Sequence, residues 1–235
     1  MEPDINKISP DREKIYEQSK LIVIKVGSSL LVEDKLGAVK KEWFVSFIDD
    51  VIDLRRKGKS VIIVSSGAIN LGRKILNLKE NELTLEQEQA AASVGQIELS
   101  KEYQEQFKIK GLICSQVLIT LDDFTNRRRY LNCKSTFKTL LKFGVIPIVN
   151  ENDTVATDEI RYGDNDRLAA QVASICECDL LILLSDIDGL YTEPPKKSKN
   201  AVHIPFISEI TDEIELMAEG PENDFSHGGM KTKIA

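Results

Sequence analysis

Residues 145–154 read Val-Ile-Pro-Ile-Val-Asn-Glu-Asn-Asp-Thr, an apolar run that ends abruptly in amides and carboxylates. A second polar cluster, Gly163-Asp164-Asn165-Asp166, opens an apolar segment that continues from Leu168 to Cys176. In open α/β sheets, ligands bind where strands end and helices begin. Asn and Asp also favour ordinary turns, but a turn needs one or two such residues. Two clusters with this many polar side chains therefore indicate a binding site.

Outward from this stretch, further apolar runs alternate with segments of helical periodicity. The predicted strands are Leu21–Val26, Val61–Val64, Leu112–Ile119, Val145–Val149 and Leu180–Leu184. The predicted helices are a short polar one after Ser9-Pro10, then Val39–Leu54 ending at Gly58, Thr84–Phe107, Phe124–Phe143 closed by Gly144, and Leu168–Cys176. Strands that are apolar throughout lie in parallel sheets covered on both faces. The sequence thus predicts an α/β fold, a three-layer α/β/α sandwich with a mostly parallel central sheet.

Composition narrows the class of protein. A chain of 235 residues suits one large domain or two small ones. Its net charge of −7 argues against a nucleic-acid partner, because binding to phosphates requires positive charge. No apolar run approaches the roughly 20 residues of a membrane span, and the N-terminus lacks the apolar core of a signal peptide. The four cysteines have no disulfide or zinc spacing, so reduced thiols in a cytoplasmic protein are expected.

Small or polar residues follow the predicted strands at several positions. These are Gly27-Ser28-Ser29, Ser65-Ser66-Gly67, residues 150–153 and Ser185-Asp186, and Gly228-Gly229 has the same character before Met230-Lys231-Thr232-Lys233. Glycine turns that lead into helices expose backbone N–H groups, which favour anions. Each turn is a weak signal alone and none matches a standard phosphate loop. Together they favour an enzyme that handles phosphate.

Lys25 interrupts the first apolar strand. Burial of an ammonium without a partner is costly, so Lys25 either reaches water near the strand end or has a functional partner. Lys233, on a glycine-led turn, strengthens the functional interpretation because two lysines can flank a triphosphate. Asp166 could hold such lysines in place, although it could also be a plain helix N-cap.

Six motifs occur in the order that is typical of one family. They are Lys25-Val-Gly-Ser-Ser29, Val64-Ser-Ser-Gly-Ala-Ile69, Ala92-Ser-Val-Gly-Gln96, Asn150-Glu-Asn-Asp-Thr-Val-Ala156, Gly163-Asp-Asn-Asp166 and Gly228-Gly-Met-Lys-Thr-Lys233. From about Leu21 to its end, the chain resembles the glutamate 5-kinases of the amino acid kinase family. The resemblance implies ATP-dependent phosphorylation of the γ-carboxylate of L-glutamate, the first step of proline biosynthesis, with ATP and Mg²⁺ as cofactors.

The resemblance also implies roles for individual residues. Lys25 and Lys233 are expected to contact the transferring phosphates, and Asp166 to organise both. Ser66, Asp153 and Asn165 are expected to hold glutamate. The residues expected to bind ATP are Lys25, Ser185, Asp186, His227, Gly228, Gly229, Met230, Lys231, Thr232 and Lys233. Ser226-His227 stands where the family usually has Gly-Thr, which should alter contacts to the nucleotide.

Further expectations concern organisation and partners. Residues 1–235 are expected to form one amino acid kinase domain, with a glutamate-binding lobe over about 20–165 and an ATP-binding lobe over about 166–235. The end of the fold is expected to lie beyond Ala235, and residues 1–235 are not expected to include the C-terminal RNA-binding-type domain that many bacterial members carry. Residues 154–162 are expected to form a hairpin lid. The resemblance suggests feedback inhibition by proline and a homo-oligomer, either dimer or tetramer.

Two alternative functions stay open at this point. A kinase for another carboxylate, such as N-acetylglutamate, would use the same fold, but an acylated amine could not pair with Asp153. A non-catalytic amino-acid sensor would bind its ligand without ATP turnover, although retention of both lysines and Asp166 argues against it.

Overall fold

The structure is a computed structural model that describes residues 11–33, 37–79, 83–120, 122–155, 165–219 and 230–234. The chain divides into two compact units. The sheet unit comprises Lys20–Asp186, and the terminal unit comprises Met1–Ser19 with Ile187–Ala235. The predicted division into a glutamate-binding and an ATP-binding lobe stays a prediction.

Helices and strands alternate along most of the chain. In order they are α1 (Asp11–Gln18), β1 (Leu21–Val26), α2 (Ser28–Leu31), β2 (Val32–Glu33), β3 (Ala38–Val39), α3 (Lys41–Arg56), β4 (Ser60–Ser65), α4 (Ala68–Ile75), α5 (Leu85–Ile109), β5 (Cys114–Ile119), α6 (Asp122–Thr125), α7 (Arg127–Lys142), β6 (Ile146–Glu151), α8 (Asn165–Ile175), β7 (Leu180–Leu184), β8 (Leu190–Tyr191), β9 (His203–Ile204), α9 (Asp212–Glu219) and α10 (Met230–Ile234).

The sheet unit is built on five parallel strands in the order β5-β6-β4-β1-β7. Lys25 of β1 lies opposite Val64 of β4 and Leu183 of β7, and Val64 in turn lies opposite Val149 of β6. Because all five strands are parallel, their carboxyl ends meet at one edge of the sheet. The predicted α/β fold with a parallel central sheet is confirmed.

Helices cover both faces of this sheet. On one face, Phe137 of α7 and Leu168 of α8 join a buried cluster that includes Val64 of β4. Ser65, the next residue of β4, points to the opposite face, where it contacts Tyr103 of α5. There the ring of Tyr103 meets Phe44 of α3 edge-on, with the ring centroids 4.8 Å apart. The sheet is therefore the middle layer of a sandwich, and its buried residues form two cores.

Helices α4 and α5 cross with their backbones in contact. A Cβ atom added at Gly72 would overlap the carbonyl group of Ala91, and one added at Gly95 would overlap the carbonyl oxygen of Ala68. Glycine at both positions is thus required by close approach. Gly67, which precedes α4, has φ of 108°, a left-handed conformation that glycine adopts without strain. The turn after β4 is consequently fixed against the middle of α5.

Several predicted boundaries were wrong. Val39 belongs to β3, where it pairs with Val32, so the helix begins only at Lys41. The helix predicted over 124–143 is divided at Asn126, whose side chain accepts hydrogen bonds from the backbone of Arg128 and Arg129 and so caps α7.

Strands β4, β5 and β6 start at residues other than those predicted, and helices α2, α4 and α9 were not predicted. The amides of Leu112 and Val145 bond to the ends of α5 and α7, so strands β5 and β6 start after them, at Cys114 and Ile146. Helix α4 was not predicted. Its central Gly72 lowers intrinsic helix propensity, and contact with α5 stabilises it instead.

The terminal unit contains less regular structure. Strands β8 and β9 pair antiparallel, with the ring of Tyr191 against that of His203 at a centroid distance of 5.2 Å. Helix α9 contacts β8 and α10. Over the part of the chain that the structure describes, none of the helices combines the length and apolar character that crossing a membrane requires.

Candidate functional site

The ammonium of Lys25 and the carboxylate of Asp166 form a buried ion pair at the carboxyl edge of the sheet. Nζ of Lys25 lies 2.5 Å from Oδ1 of Asp166, and the two side chains are only 8% and 1% exposed. Lys25 is the next-to-last residue of β1, and Asp166 is in the first turn of α8. Lys25 therefore does not reach water as an isolated cation. Of the two interpretations of this lysine, the structure supports the one in which it has a specific partner.

Asn165, beside Asp166, connects α8 to the ends of two strands. Its Nδ2 donates to the backbone carbonyl of Ser65 at 3.2 Å, to Oγ of Ser66 at 2.9 Å and to Oδ1 of Asn150 at 2.9 Å. Two residues predicted to hold substrate, Ser66 and Asn165, are thus in direct contact. Together with the Lys25–Asp166 pair, they form one polar cluster where strands end and a helix begins.

A chain of side-chain hydrogen bonds, buried at Asn150 and Gln96, continues from this cluster into α5. Nδ2 of Asn150 donates to Oε1 of Gln96 at 2.8 Å, and Nε2 of Gln96 donates to Oγ of Ser100 at 3.2 Å. Oγ of Ser100 donates to Oε1 of Gln116 at 3.1 Å. We call the hydrogen-bonded side chains of Asn165, Asn150, Gln96, Ser100 and Gln116 the amide relay.

Tyr103 of α5 contacts the end of β4, on the face of the sheet that α5 covers. Its ring is completely buried, and its hydroxyl donates to Oγ of Ser65 at 3.0 Å. Burial raises the pKa of the Tyr103 phenol, which therefore remains a donor. Gln96, Ser100 and Tyr103 follow at helical spacing on α5. The sequence analysis did not assign them to the site, although polar residues recurring on the buried face of a helix were a usable signal.

Asp153 lines a cleft of about 210 Å³ next to this cluster. The walls come from α5 and β5, from the last residue of β6 and from the segment that follows it. They consist of Ala92, Ser93, Gln96, Ile97, Gln116, Leu118, Glu151, Asn152, Asp153 and Thr154. Burial, together with the negative charge of Glu88, raises the pKa of Asp153 to about 7. Such a carboxylate gains from a cationic partner, which would offset both the burial and the repulsion.

The remaining predicted site residues lie elsewhere in the chain. Ser185 and Asp186 follow the end of β7, and the Ser185 hydroxyl donates to Oδ1 of Asp186 at 3.3 Å. Met230, Lys231, Thr232 and Lys233 begin α10 in the terminal unit. His227, Gly228 and Gly229 lie outside the described residues, as do residues 156–164 of the predicted lid and of the second polar cluster. The roles of all these residues stay predictions.

Over the residues that the structure describes, no group of three or more His, Cys, Asp and Glu side chains could hold a metal ion. All four cysteines are free thiols, as expected. Burial raises the pKa of Cys133 to about 11 and that of Cys176 to about 12, so both remain protonated and weakly nucleophilic.

Similarity to known proteins covers almost the whole chain. Residues 20–235 match the amino acid kinase family. The chain is 55% identical over 215 residues to a protein named glutamate 5-kinase from Bartonella henselae, an alignment that covers 92% of this chain and 56% of that protein. It is 54% identical over 217 residues to one of that name from Paracoccus denitrificans, covering 92% and 58%, and 56% identical over 215 residues to one from Allorhizobium ampelinum, covering 92% and 55%.

These relatives are considerably longer than the chain, which spans about half of their length. The shared region includes the whole sheet unit, with the polar cluster at its carboxyl edge. The parallel sheet and the position of the cluster agree with this similarity. The chain belongs to the amino acid kinase family.

Proposed function

We propose that the protein transfers the γ-phosphoryl group of ATP to the γ-carboxylate of L-glutamate, forming L-glutamyl 5-phosphate for proline biosynthesis. The observation that carries the proposal is the buried Lys25–Asp166 pair in one cluster with Ser66 and Asn165. The curated relatives at 54–56% identity bear the name glutamate 5-kinase, which supports the same reaction.

The acceptor itself explains why the site needs no general base. A side-chain carboxylate with an unperturbed pKa of about 4.3 is ionised at neutral pH and is already a nucleophile. The chain contains two histidines, so an acid–base mechanism based on histidine has little material. The main obstacle to reaction is the repulsion between this carboxylate and the phosphates of ATP. Phosphoryl transfer is catalysed mostly by positioning and by stabilisation of negative charge.

Lys25 is the residue best suited to reduce that repulsion. Its ammonium is held by Asp166 in a site with little water, where charge interactions are stronger than in solvent. We propose that Lys25 contacts the transferred phosphate, that Asp166 fixes its direction, and that Lys233 assists the transfer as the resemblance implies. Mg²⁺ bound to ATP would neutralise charge on the phosphates. Such ions are held largely by the oxygens of the nucleotide, and protein cages dedicated to them are uncommon.

The cleft beside the cluster fits the amino-acid end of glutamate. Asp153, which burial and Glu88 make unfavourable as an isolated anion, would pair with the α-ammonium. Ser66 and Asn165 would bind a carboxylate of the substrate. An N-acetylated amine carries no positive charge, so the raised pKa of Asp153 favours a free amino acid over N-acetylglutamate.

We propose that ATP binds to the predicted residues outside this cleft. Ser185 and Asp186 follow the strand adjacent to β1, and residues 227–233 would bind ATP as the resemblance implies. We further propose that residues 154–162 cover the site, because an acyl phosphate hydrolyses readily unless water is excluded. Feedback inhibition by proline, a dimer or tetramer, and a cytoplasmic location complete the proposal. Four free thiols support a reducing compartment.

The proposed reaction is tested by measuring ADP release with a panel of acceptors. L-glutamate should support turnover, whereas N-acetylglutamate and L-aspartate should give little. Hydroxylamine should trap the acyl phosphate as a hydroxamate in proportion to ADP. Preference for N-acetylglutamate would favour the alternative kinase. Binding of L-glutamate without ADP release would favour the amino-acid sensor.

A further inference from the structure

The direction of every bond in the amide relay is set by one backbone group. Nδ2 of Asn165 lies 3.2 Å from the carbonyl oxygen of Ser65, which can only accept a hydrogen bond. The Asn165 amide must therefore present its nitrogen, not its oxygen, to the end of β4. This bond fixes the orientation of an amide whose two ends otherwise have nearly the same shape.

That orientation passes along the relay from one side chain to the next. Asn150 has to turn its oxygen towards Asn165, so its nitrogen faces Gln96. Gln96 then has to offer its oxygen to Asn150, which leaves its nitrogen to donate to Ser100. Helix α5 thus completes this order, because Gln96 supplies the acceptor for the N–H group of Asn150 and keeps its side chain in place. Both Gln96 and Asn150 are buried, so water cannot readily replace either partner.

The relay has a consequence for Ser66. Its Oγ accepts a hydrogen bond from Nδ2 of Asn165, which uses a lone pair and leaves the hydroxyl proton to be donated. If the Asn150 amide reversed, Asn165 would face a donor instead of an acceptor. The nitrogen of Asn165 would no longer be held in place on that side, and the direction of the Ser66 hydroxyl would be less defined.

We propose that Gln96 is a positioning residue which, through Asn150 and Asn165, holds the Ser66 hydroxyl as a donor to a carboxylate of the bound amino acid. The inference rests on the proposed function and assigns part of its substrate specificity to α5. Gln96 also lines the cleft that contains Asp153, so one side chain connects the two predicted substrate contacts.

The test uses steady-state kinetics of the full-length protein. Gln96→Met keeps the length of the side chain and its helix propensity but removes both hydrogen bonds. It is expected to raise the KM for L-glutamate about tenfold, the effect of leaving one buried amide donor unsatisfied. The KM for ATP should change less than about twofold, since the relay does not reach the nucleotide residues. Gln104→Met, an exposed substitution on the same helix, is the matched control and should leave both constants unchanged.

A double-mutant cycle separates positioning from general damage. If Gln96 acts through Ser66, then Gln96→Met should raise the KM for L-glutamate less than about twofold in a Ser66→Ala background. Equal effects in both backgrounds would overturn the inference, as would an unchanged KM in the single variant. Ser100→Ala removes the acceptor for the Gln96 N–H group and is compatible with the helix. It should raise the KM for L-glutamate, but by less than Gln96→Met does. It keeps the inference testable if Gln96→Met fails to fold, and an unchanged KM in a folded Ser100→Ala variant would then overturn it.

The two proposals fail in different ways. A wild-type protein that releases no ADP with any amino acid or acylated amino acid contradicts the proposed function. A wild-type protein that phosphorylates L-glutamate, combined with relay variants of normal KM, contradicts only the role of Gln96.

Discussion

Removing one or both charges of the Lys25–Asp166 pair should separate stability from activity. Lys25→Met alone removes the cation that lies 2.5 Å from the Asp166 carboxylate, which is 1% exposed. Losing one partner of a buried ion pair costs about 3–5 kcal/mol, so the free energy of unfolding should fall by that amount. Asp166→Asn alone should cost a similar amount because it leaves a buried ammonium at Lys25.

The double variant Lys25→Met/Asp166→Asn replaces the pair by neutral groups of similar size. Replacing a buried ion pair by hydrophobic residues is often neutral or even stabilising, but the new asparagine amide is buried beside a methionine and costs about 1–3 kcal/mol. The unfolding free energy of the double variant should therefore lie clearly above that of either single variant and about 1–2 kcal/mol below that of wild type. Its activity should not return, because the ammonium that faces the phosphates is gone. Urea denaturation followed by circular dichroism measures the first quantity, and ADP release with saturating L-glutamate measures the second.

The expected pattern is two unstable, inactive single variants and one more stable, inactive double variant. A double variant that retains turnover within about tenfold of wild type would refute the assignment of Lys25 to the phosphates. A double variant as unstable as the single variants would show that the pair is chiefly structural.

Three further predictions concern the surroundings of this pair. Because the pKa of Asp153 is raised to about 7, its carboxyl group is mostly neutral at about pH 6 and mostly ionised at about pH 8. The KM for L-glutamate should therefore fall up to about tenfold from about pH 6 to about pH 8. In Asp153→Asn the KM should be high and should lose this pH dependence, and a pH profile like that of wild type would contradict the pairing. Tyr103→Phe keeps the buried ring but leaves Ser65 without its donor, so urea denaturation should show a loss of about 1–2 kcal/mol, whereas Tyr130→Phe, at a half-buried tyrosine on α7, should show little. Gly95→Ala forces a methyl group onto the backbone of Ala68 and should cost about 3 kcal/mol or more; a loss below about 0.5 kcal/mol would mean that the two helices can separate.

The sheet and its polar edge could be predicted because both depend on local features of the sequence. Continuous apolar runs specify buried parallel strands, and polar residues directly after them mark the edge where ligands bind. Lys25 could be identified as a candidate site residue because it is a charged side chain inside such an apolar run. The close contact of Ser66 with Asn165 follows from the parallel arrangement, which brings together residues 99 positions apart.

The contribution of α5 depends instead on register between distant elements. In the sequence, Gln96 and Tyr103 are ordinary residues of an amphipathic helix. Their role becomes visible only in the structure, where they bond to the ends of β6 and β4. Their positions depend on Gly72 and Gly95, whose missing side chains set how closely α4 approaches α5. Glycine inside a helix normally destabilises that helix, and the sequence alone gives no sign that these two glycines face each other. Helix α4 escaped prediction for the same reason.

The crossing at Gly72 and Gly95 also limits how this site can change. With backbone against backbone, there is no side chain between the helices that could be shortened or lengthened to alter their separation. The loop that carries Ser66 and the segment that carries Gln96 must therefore shift together as one piece. A descendant of this protein with a different preference for its amino acid would have to acquire it by exchanging the residues that face the cleft, while the two helices stay where they are.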